Sequence, residues 1–331
     1  MAEARGEDGT AFAGRLEALL GGTVRDLRRA SGGTSRLFWT FDLERGGQRL
    51  PLVALQDAGR GPFFGTRFDL MREARTLAAL HRAGVPVPAV HHCDAAESFT
   101  ILDRLPGRAE FAFADDAERL SVIADFGRAL ARLHALDART LDLPVAAPQS
   151  RTGATLADIA DHEDAYLRLC VRHALVDEAF AWAKAHVPRD ELAPAMVQGD
   201  AGPTNFMHAG GRLTGFIDWE LAHAGDPHDD LAWVWFRVSM LGFDRDVADW
   251  FDAYREASGL VIDAAKLRYF IVLVTLRCTV ANLVRQANEP GSSDERAART
   301  RAMLEAALAD ARGEGPRRLP PLGLSEEEQA R

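Results

Sequence analysis

Apolar and polar residues alternate along the first hundred positions and then stop doing so. Leu37-Phe38-Trp39-Thr40-Phe41-Asp42-Leu43 follows a period of two, and Leu50 to Leu55 forms a second apolar run after Gly46-Gly47. Successive side chains of a strand face opposite ways, so these runs predict strands joined by a glycine turn. Residues 68–83 switch to a helical period, with Leu70, Ala74, Leu77, Ala78 and His81 on related faces. Residues 89–93 and 98–102 read as two further strands across a turn at 94–97. Past the turn-rich link Asp103-Arg104-Leu105-Pro106-Gly107, helical periods cover 117–136, 156–186, 244–257 and 263–286. The expected fold class is α+β, with a small sheet-rich lobe over 1–105 and a larger helical lobe over 106–331. Residues 1–9 and 312–331 are rich in charge, Gly and Pro and are expected to be mobile.

One break in the helical half carries chemistry. It reads VQGDAGPTNFMHAGGRLTGFIDWELAHAGDPHDDL, from Val197 to Leu231. Asp200 and Asn205 stand four residues apart, and Ala209-Gly210-Gly211 separates two short apolar runs. Two residues that tolerate positive φ predict a hairpin, which folds Asp218 back towards Asn205. Gly199 and Gly202 let the preceding loop bend closely, and Pro203 stiffens it. Phosphoryl transfer with magnesium needs a base for the accepting hydroxyl and oxygen ligands for metal. Asp200, Asn205 and Asp218 can supply all three, and Asp-x-x-x-x-Asn is the spacing of protein-kinase catalytic loops.

Upstream, Ser31-Gly32-Gly33-Thr34-Ser35-Arg36 lies between two strand-like runs. Its backbone N–H groups can face phosphate, or it is an ordinary hairpin turn. Glu73 sits in the 68–83 helix, where its plain reading is a solvated charge.

The Val197–Leu231 segment resembles the Brenner-type motif of the aminoglycoside phosphotransferase and choline kinase group, which share the protein-kinase-like two-lobed fold. GDAGPTNF followed by IDWELAHAGDPHDDLAW looks closest to a bacterial branch of small-molecule phosphotransferases. That branch is similar to the kinase-like domain fused to acyl-CoA dehydrogenases in animals. The resemblance runs from about Thr23 to at least Tyr254. It implies Asp200 as catalytic base, Asn205 and Asp218 as magnesium ligands, and Asp230 as a brace for the catalytic loop. It implies that Gly32, Gly33, Thr34 and Ser35 cover the phosphates of ATP or another nucleoside triphosphate. It implies that Glu73 anchors a strand-borne cation, and that the link at Asp103 and Leu105 meets the adenine edge through backbone groups. The implied partner is a small-molecule hydroxyl acceptor. Two positions depart from the family. Gln56 stands where a basic residue usually grips phosphate, and Gln198 where histidine is usual. Only two lysines occur, Lys184 and Lys266, so Arg60 is the substitute cation considered.

Composition narrows the classes. A net charge of −10 with arginines spread along the chain argues against nucleic-acid binding. Cys93, Cys170 and Cys278 lack C-x-x-C spacing, which fits a reduced cytoplasm and no zinc site. The charged start does not read as a signal peptide, and the apolar run 270–274 between Arg268 and Arg277 is too short for a membrane span. A Walker A loop needs Gly-Lys, which is absent. His223, Asp226, His228 and Asp229 leave a metallohydrolase as a distant alternative. The nearer one is a pseudokinase-like module that binds a nucleotide or metabolite without transfer. Oligomeric state is not legible.

Overall fold

The computed structural model describes residues 9–30, 36–59, 65–169, 172–288, 294–314 and 319–330. The chain opens with helix α1, Gly9–Leu20. Strands β1 Thr23–Ala30, β2 Arg36–Arg45 and β3 Gln48–Asp57 follow, then helix α2 Leu70–Arg82 and strands β4 Val90–Asp94 and β5 Phe99–Asp103. The strands form one antiparallel sheet in the order β1-β2-β3-β5-β4. Alternation sorts its side chains. Phe41, Leu43, Leu52, Ala54, Phe99 and Ile101 form one apolar face, covered by Phe12 and Leu16 of α1. These two lie one helical turn apart and are fully buried, which contributes roughly 1.5–3 kcal/mol each. The opposite face, through Leu55 and Leu102, joins the main core.

The helical half contains α3 Asp116–His134, α4 Arg151–Leu169 and α5 Ala174–Ala185. Strand β6 Ala195–Val197, the hairpin β7 Phe206–Ala209 and β8 Arg212–Phe216, and strand β9 His223–Gly225 come next. Then follow α6 Pro227–Met240, α7 Val247–Ser258, α8 Ala264–Asn288, α9 Asp294–Arg312 and α10 Glu326–Ala330. Helix α8 is long and apolar enough to cross a membrane, with mean hydropathy 1.6 over its core window, yet 78% of that window is buried inside the protein. It is the central core helix, and Arg277 on it ends in buried ion pairs.

The C-terminal tail corrects an expectation. Residues 319–330 are docked: Leu322 and Leu324 are buried, Trp235 donates to the Pro321 carbonyl at 3.0 Å, and Glu328 pairs with Arg255. Apolar residues inside a Pro- and Gly-rich stretch pay the ordering cost that composition alone suggests is unmet. Residues 1–8 lie outside the described residues.

Candidate active site

The loop after β6 is fixed from behind. Asp230, at the start of α6, accepts the backbone N–H groups of Gln198 and Gly199, each at 2.9 Å, and pairs with His134 Nε2 at 3.0 Å. His134 also bonds the Tyr254 hydroxyl at 2.8 Å. The Gln198 amide donates to the carbonyls of Asn205, 3.2 Å, and Ile217, 2.7 Å, tying the loop to both hairpin strands. Gly199 has φ +81°, and a Cβ there would meet the Leu221 carbonyl oxygen at 2.3 Å. Only glycine lets the chain pass so close in that conformation.

Asp200 emerges from this loop largely buried. Arg237 of α6 donates to it bidentately, Nε to Oδ1 at 2.7 Å and Nη2 to Oδ2. Asn205 Nδ2 donates to Asp200 Oδ2 at 2.7 Å and to its carbonyl at 2.9 Å. These bonds fix the amide and present Asn205 Oδ1 as its acceptor. Burial raises the Asp200 pKa above the ordinary carboxylate range, against the pull of Arg237.

Gly210 and Gly211, at φ +56° and +73°, close the β7–β8 hairpin. Ile217 N then donates to the Asn205 carbonyl at 3.0 Å, so Asp218 returns beside Asn205. Asp218 is exposed and has φ +62°, a left-handed backbone rare for a non-glycine residue. No described hydrogen bond or ion pair engages its carboxylate. The next amide, Trp219 N, donates to Glu73 Oε1 at 3.1 Å. Glu73 is buried and pairs with Arg36, whose Nη2 reaches Glu220 Oε2 at 3.1 Å. Burial and the nearby Asp218 push the Glu220 carboxyl up to about 8.

The structure thus brings Asp200, Asn205, Asp218 and Glu73 to one cavity of about 660 Å³ between sheet and helices. Gln56 is not among them. Val53 and Leu55 line the cavity, whereas Leu52 and Ala54 face α1. By strand alternation Gln56 falls on the α1 side, one residue out of register with the expected position. The cation beside Glu73 is Arg36, from β2, which stands opposite Asp57 in the β2–β3 ladder. An arginine at the strand start, two residues before the cavity-lining Phe38, is the signal that sequence reading missed. Burial works against its charge, but Glu73, Glu220 and Asp218 outweigh that and raise its pKa. Gly32, Gly33, Thr34, Ser35 and Arg60 lie outside the described residues. Asp103 turns to the sheet edge, accepting Ala89 N at 3.2 Å and pairing with His91 at 2.6 Å. Leu105 packs against Gly215, where a Cβ would lie 2.7 Å from its Cδ1.

The histidines and acids after β8 are satisfied within the protein. His223, Asp158 and Asp229 lie close enough together to hold a metal ion. Arg277 fills the place of a cation there: Nη1 and Nη2 donate to Asp229 at 2.6 and 2.8 Å, and Nη2 also pairs with Asp158. Asp226 caps α6, binds His228 and pairs with Lys266. The metallohydrolase alternative loses its ligands to these cations. Burial would lower the His223 pKa, but Asp158 and Asp229 outweigh it and raise it to about 9. A folded pKa above the unfolded value of about 6.5 stabilises fully below that pH. That contribution is lost as pH rises towards 9. Urea unfolding at pH 6, 7.5 and 9 should therefore show declining stability, at most about 1.4 kcal/mol per pH unit from this residue. His223→Gln should flatten the decline; an unchanged slope would assign it elsewhere.

The "Phosphotransferase enzyme family" model matches residues 26–270. An aminoglycoside 3'-phosphotransferase of Streptomyces fradiae is 29% identical over 236 residues, 66% of this chain and 81% of that protein. Acyl-CoA dehydrogenase family member 11 of Gallus gallus is 28% identical over 213 residues, 59% of this chain. The match spans only 26% of that longer protein. Aminoglycoside phosphotransferase APH(4)-Ia, solved in ternary complex with ADP and hygromycin B, superposes with TM-score 0.68 at 20% identity. The superposition covers 92% of this chain and 99% of that one. A choline/ethanolamine kinase family protein of Mesorhizobium loti gives TM-score 0.60 at 21% identity, covering 92% and 99%. These likenesses establish the α+β, protein-kinase-like two-lobed fold. The family model covers well over half of the 331 residues, and the chain belongs to the phosphotransferase enzyme family.

Proposed function

We propose that the protein is an ATP- and magnesium-dependent kinase that phosphorylates a hydroxyl group of a small molecule. The observation that carries this reading is the convergence of Asp200, Asn205 and Asp218 on one cavity beside the Arg36–Glu73 pair. Hard cations take oxygen ligands, and the unengaged Asp218 carboxylate and the oriented Asn205 Oδ1 fit that demand. When bound, magnesium neutralises charge on the β- and γ-phosphates. Asp200 accepts the hydroxyl proton of the acceptor. Its bidentate hold by Arg237 limits its basicity but fixes its direction, which suits a loose transition state in which positioning dominates. Arg36 grips phosphate, and Val53, Leu55 and Leu102 form an apolar wall for the base. The free thiols Cys93 and Cys278 accord with a cytoplasmic setting.

Gln56 and Gln198 are the two residues that favour a pseudokinase. Arg36 stands in for the first, and the second braces the loop by donating two hydrogen bonds. ADP release on mixing protein, MgATP and hydroxyl acceptors tests the proposal directly. Its complete absence, with MgATP bound, would favour the binding module.

The phosphate grip has its own test. A charge-assisted hydrogen bond is worth more than a neutral one, so Arg36→Met should raise KM for ATP roughly 10–100-fold. Arg36→Lys should recover part of this. Gln56→Arg should change KM for ATP by less than about twofold, because it faces α1. Tighter ATP binding in Gln56→Arg would restore that residue to the cleft.

A further inference from the structure

Residues of α6, α8 and α9 line the same cavity as Asp200, and this part of it, the helical chamber, has a wall unlike the phosphate end. Trp233, Phe236 and Met240 of α6 form an apolar side. Cys278, Ala281, Asn282 and Arg285 present one face of α8, at the i, i+3, i+4, i+7 spacing, and Arg296 of α9 joins them. The acids lining the cavity, Glu73, Asp200, Asp218 and Glu220, all belong to the phosphate end. The described α6, α8 and α9 residues that line the chamber include no carboxylate.

Arg285 is the unusual member. Its Nε and Nη2 are buried and have no hydrogen-bond partner among the described residues. The other buried guanidiniums of the region are paired, Arg237 with Asp200 and Arg277 with Asp158 and Asp229. Unmet buried donors on a charged group are costly unless something supplies acceptors. Cys278 marks the near end of this face, since it lines the same cavity as Asp200 and Arg237. Arg285 lies seven residues further along α8, about 10.5 Å at 1.5 Å per residue. An extended chain covers about 3.5 Å per three bonds, so the gap matches about nine bonds.

Resting on the kinase reading, we infer that the acceptor is a medium-chain alcohol carrying a terminal anion. Its hydroxyl sits at Asp200, its apolar middle lies against Trp233 and Phe236, and its anion meets Arg285. The hydroxyl oxygen bonds to the γ-phosphorus of ATP as the bond from that phosphorus to the β-phosphate oxygen breaks. The proton passes to Asp200, and the products are a phosphate monoester and ADP. Polycationic acceptors do not fit, because this chamber offers them arginines in place of carboxylates.

Three probes of matched length decide the matter: 8-hydroxyoctanoate, 1,8-octanediol and 8-amino-1-octanol, each with MgATP and ADP release as readout. The acid should exceed the diol in kcat/KM by about 10–100-fold, and the amine should be poorest. Arg285→Gln should raise KM for the acid and bring the acid-to-diol ratio towards one. A preference for amine or diol overturns the inference and leaves the kinase reading standing. So does an acid-to-diol ratio unchanged in Arg285→Gln. If none yields ADP, calorimetry on protein loaded with magnesium and AMP-PNP separates the two claims. Binding of 8-hydroxyoctanoate over the amine, lost in Arg285→Gln, keeps the charge preference and favours the binding module over the kinase. Absence of acid binding sinks the inference.

Discussion

Asp200→Asn should lower kcat by about 10²–10⁴-fold, the usual range for losing a positioned general base. The substitution is close to isosteric, and the amide oxygen can still accept from Arg237 or Asn205. The loop should stay in place, because Asp230, Gln198 and Gly199 hold it independently of this side chain. Magnesium–nucleotide affinity should change little, so the loss falls on kcat and not on KM for ATP. Steady-state ADP release beside a thermal melt checks both halves. Full turnover by a folded Asp200→Asn protein would remove the residue from the reaction.

Asp218→Ala should weaken binding of the magnesium–nucleotide complex by more than roughly 100-fold, since even outer partners of metal ligands are worth about 10–100-fold. Asp218 supplies a full negative charge to a hard dication, whereas Asn205 supplies a neutral oxygen, so Asn205→Ala should cost less. The Asp218 side chain bonds no described neighbour, so its removal should spare the fold. Relief of its left-handed backbone is not expected, because alanine is strained at φ +62° as well. Calorimetric titration with AMP-PNP, with and without magnesium, reads the effect. Equal magnesium dependence in Asp218→Ala and the parent protein would mean that the ligand set is misassigned.

Elements with a clean period were legible in the sequence, and those without one were not. The hairpin that returns Asp218 was readable because two glycines interrupt two apolar runs, and its turn adopts the positive φ that glycine allows. Helix α6 was not readable as a helix. Leu231, Ala232, Trp233, Val234, Trp235, Phe236 and Val238 are all buried, so the segment has no polar face to set a period. Helix α9 hid for the opposite reason: its inner stripe of Ala297, Thr300, Leu304, Ala307 and Leu308 is small and only partly apolar. In α1 the apolar pair Phe12 and Leu16 was too short a signal beside a charged start.

The candidate site was legible where residues cluster in sequence and obscure where they meet only in space. Asp200, Asn205 and Asp218 fall within one segment. The Arg36–Glu73 pair joins residues 37 positions apart, and the Arg237–Asp200 pair an equal number. Gln56 was misplaced because a one-residue slip along a strand exchanges its faces.

That the cation paired with Glu73 is an arginine has a consequence for how this protein can be controlled and marked. Acetylation, carbamylation and amine-reactive labels all act on lysine, and the cleft holds none. Lys184 is engaged with Glu163, and Lys266 with Asp190 and Asp226, both away from the cavity. The charge on Arg36 cannot be erased by acyl chemistry or by alkaline titration in any ordinary range. The kinase proposal predicts that a nucleotide analogue armed to capture a cleft lysine passes this protein by, whereas ATP protects it from a dicarbonyl reagent selective for guanidinium.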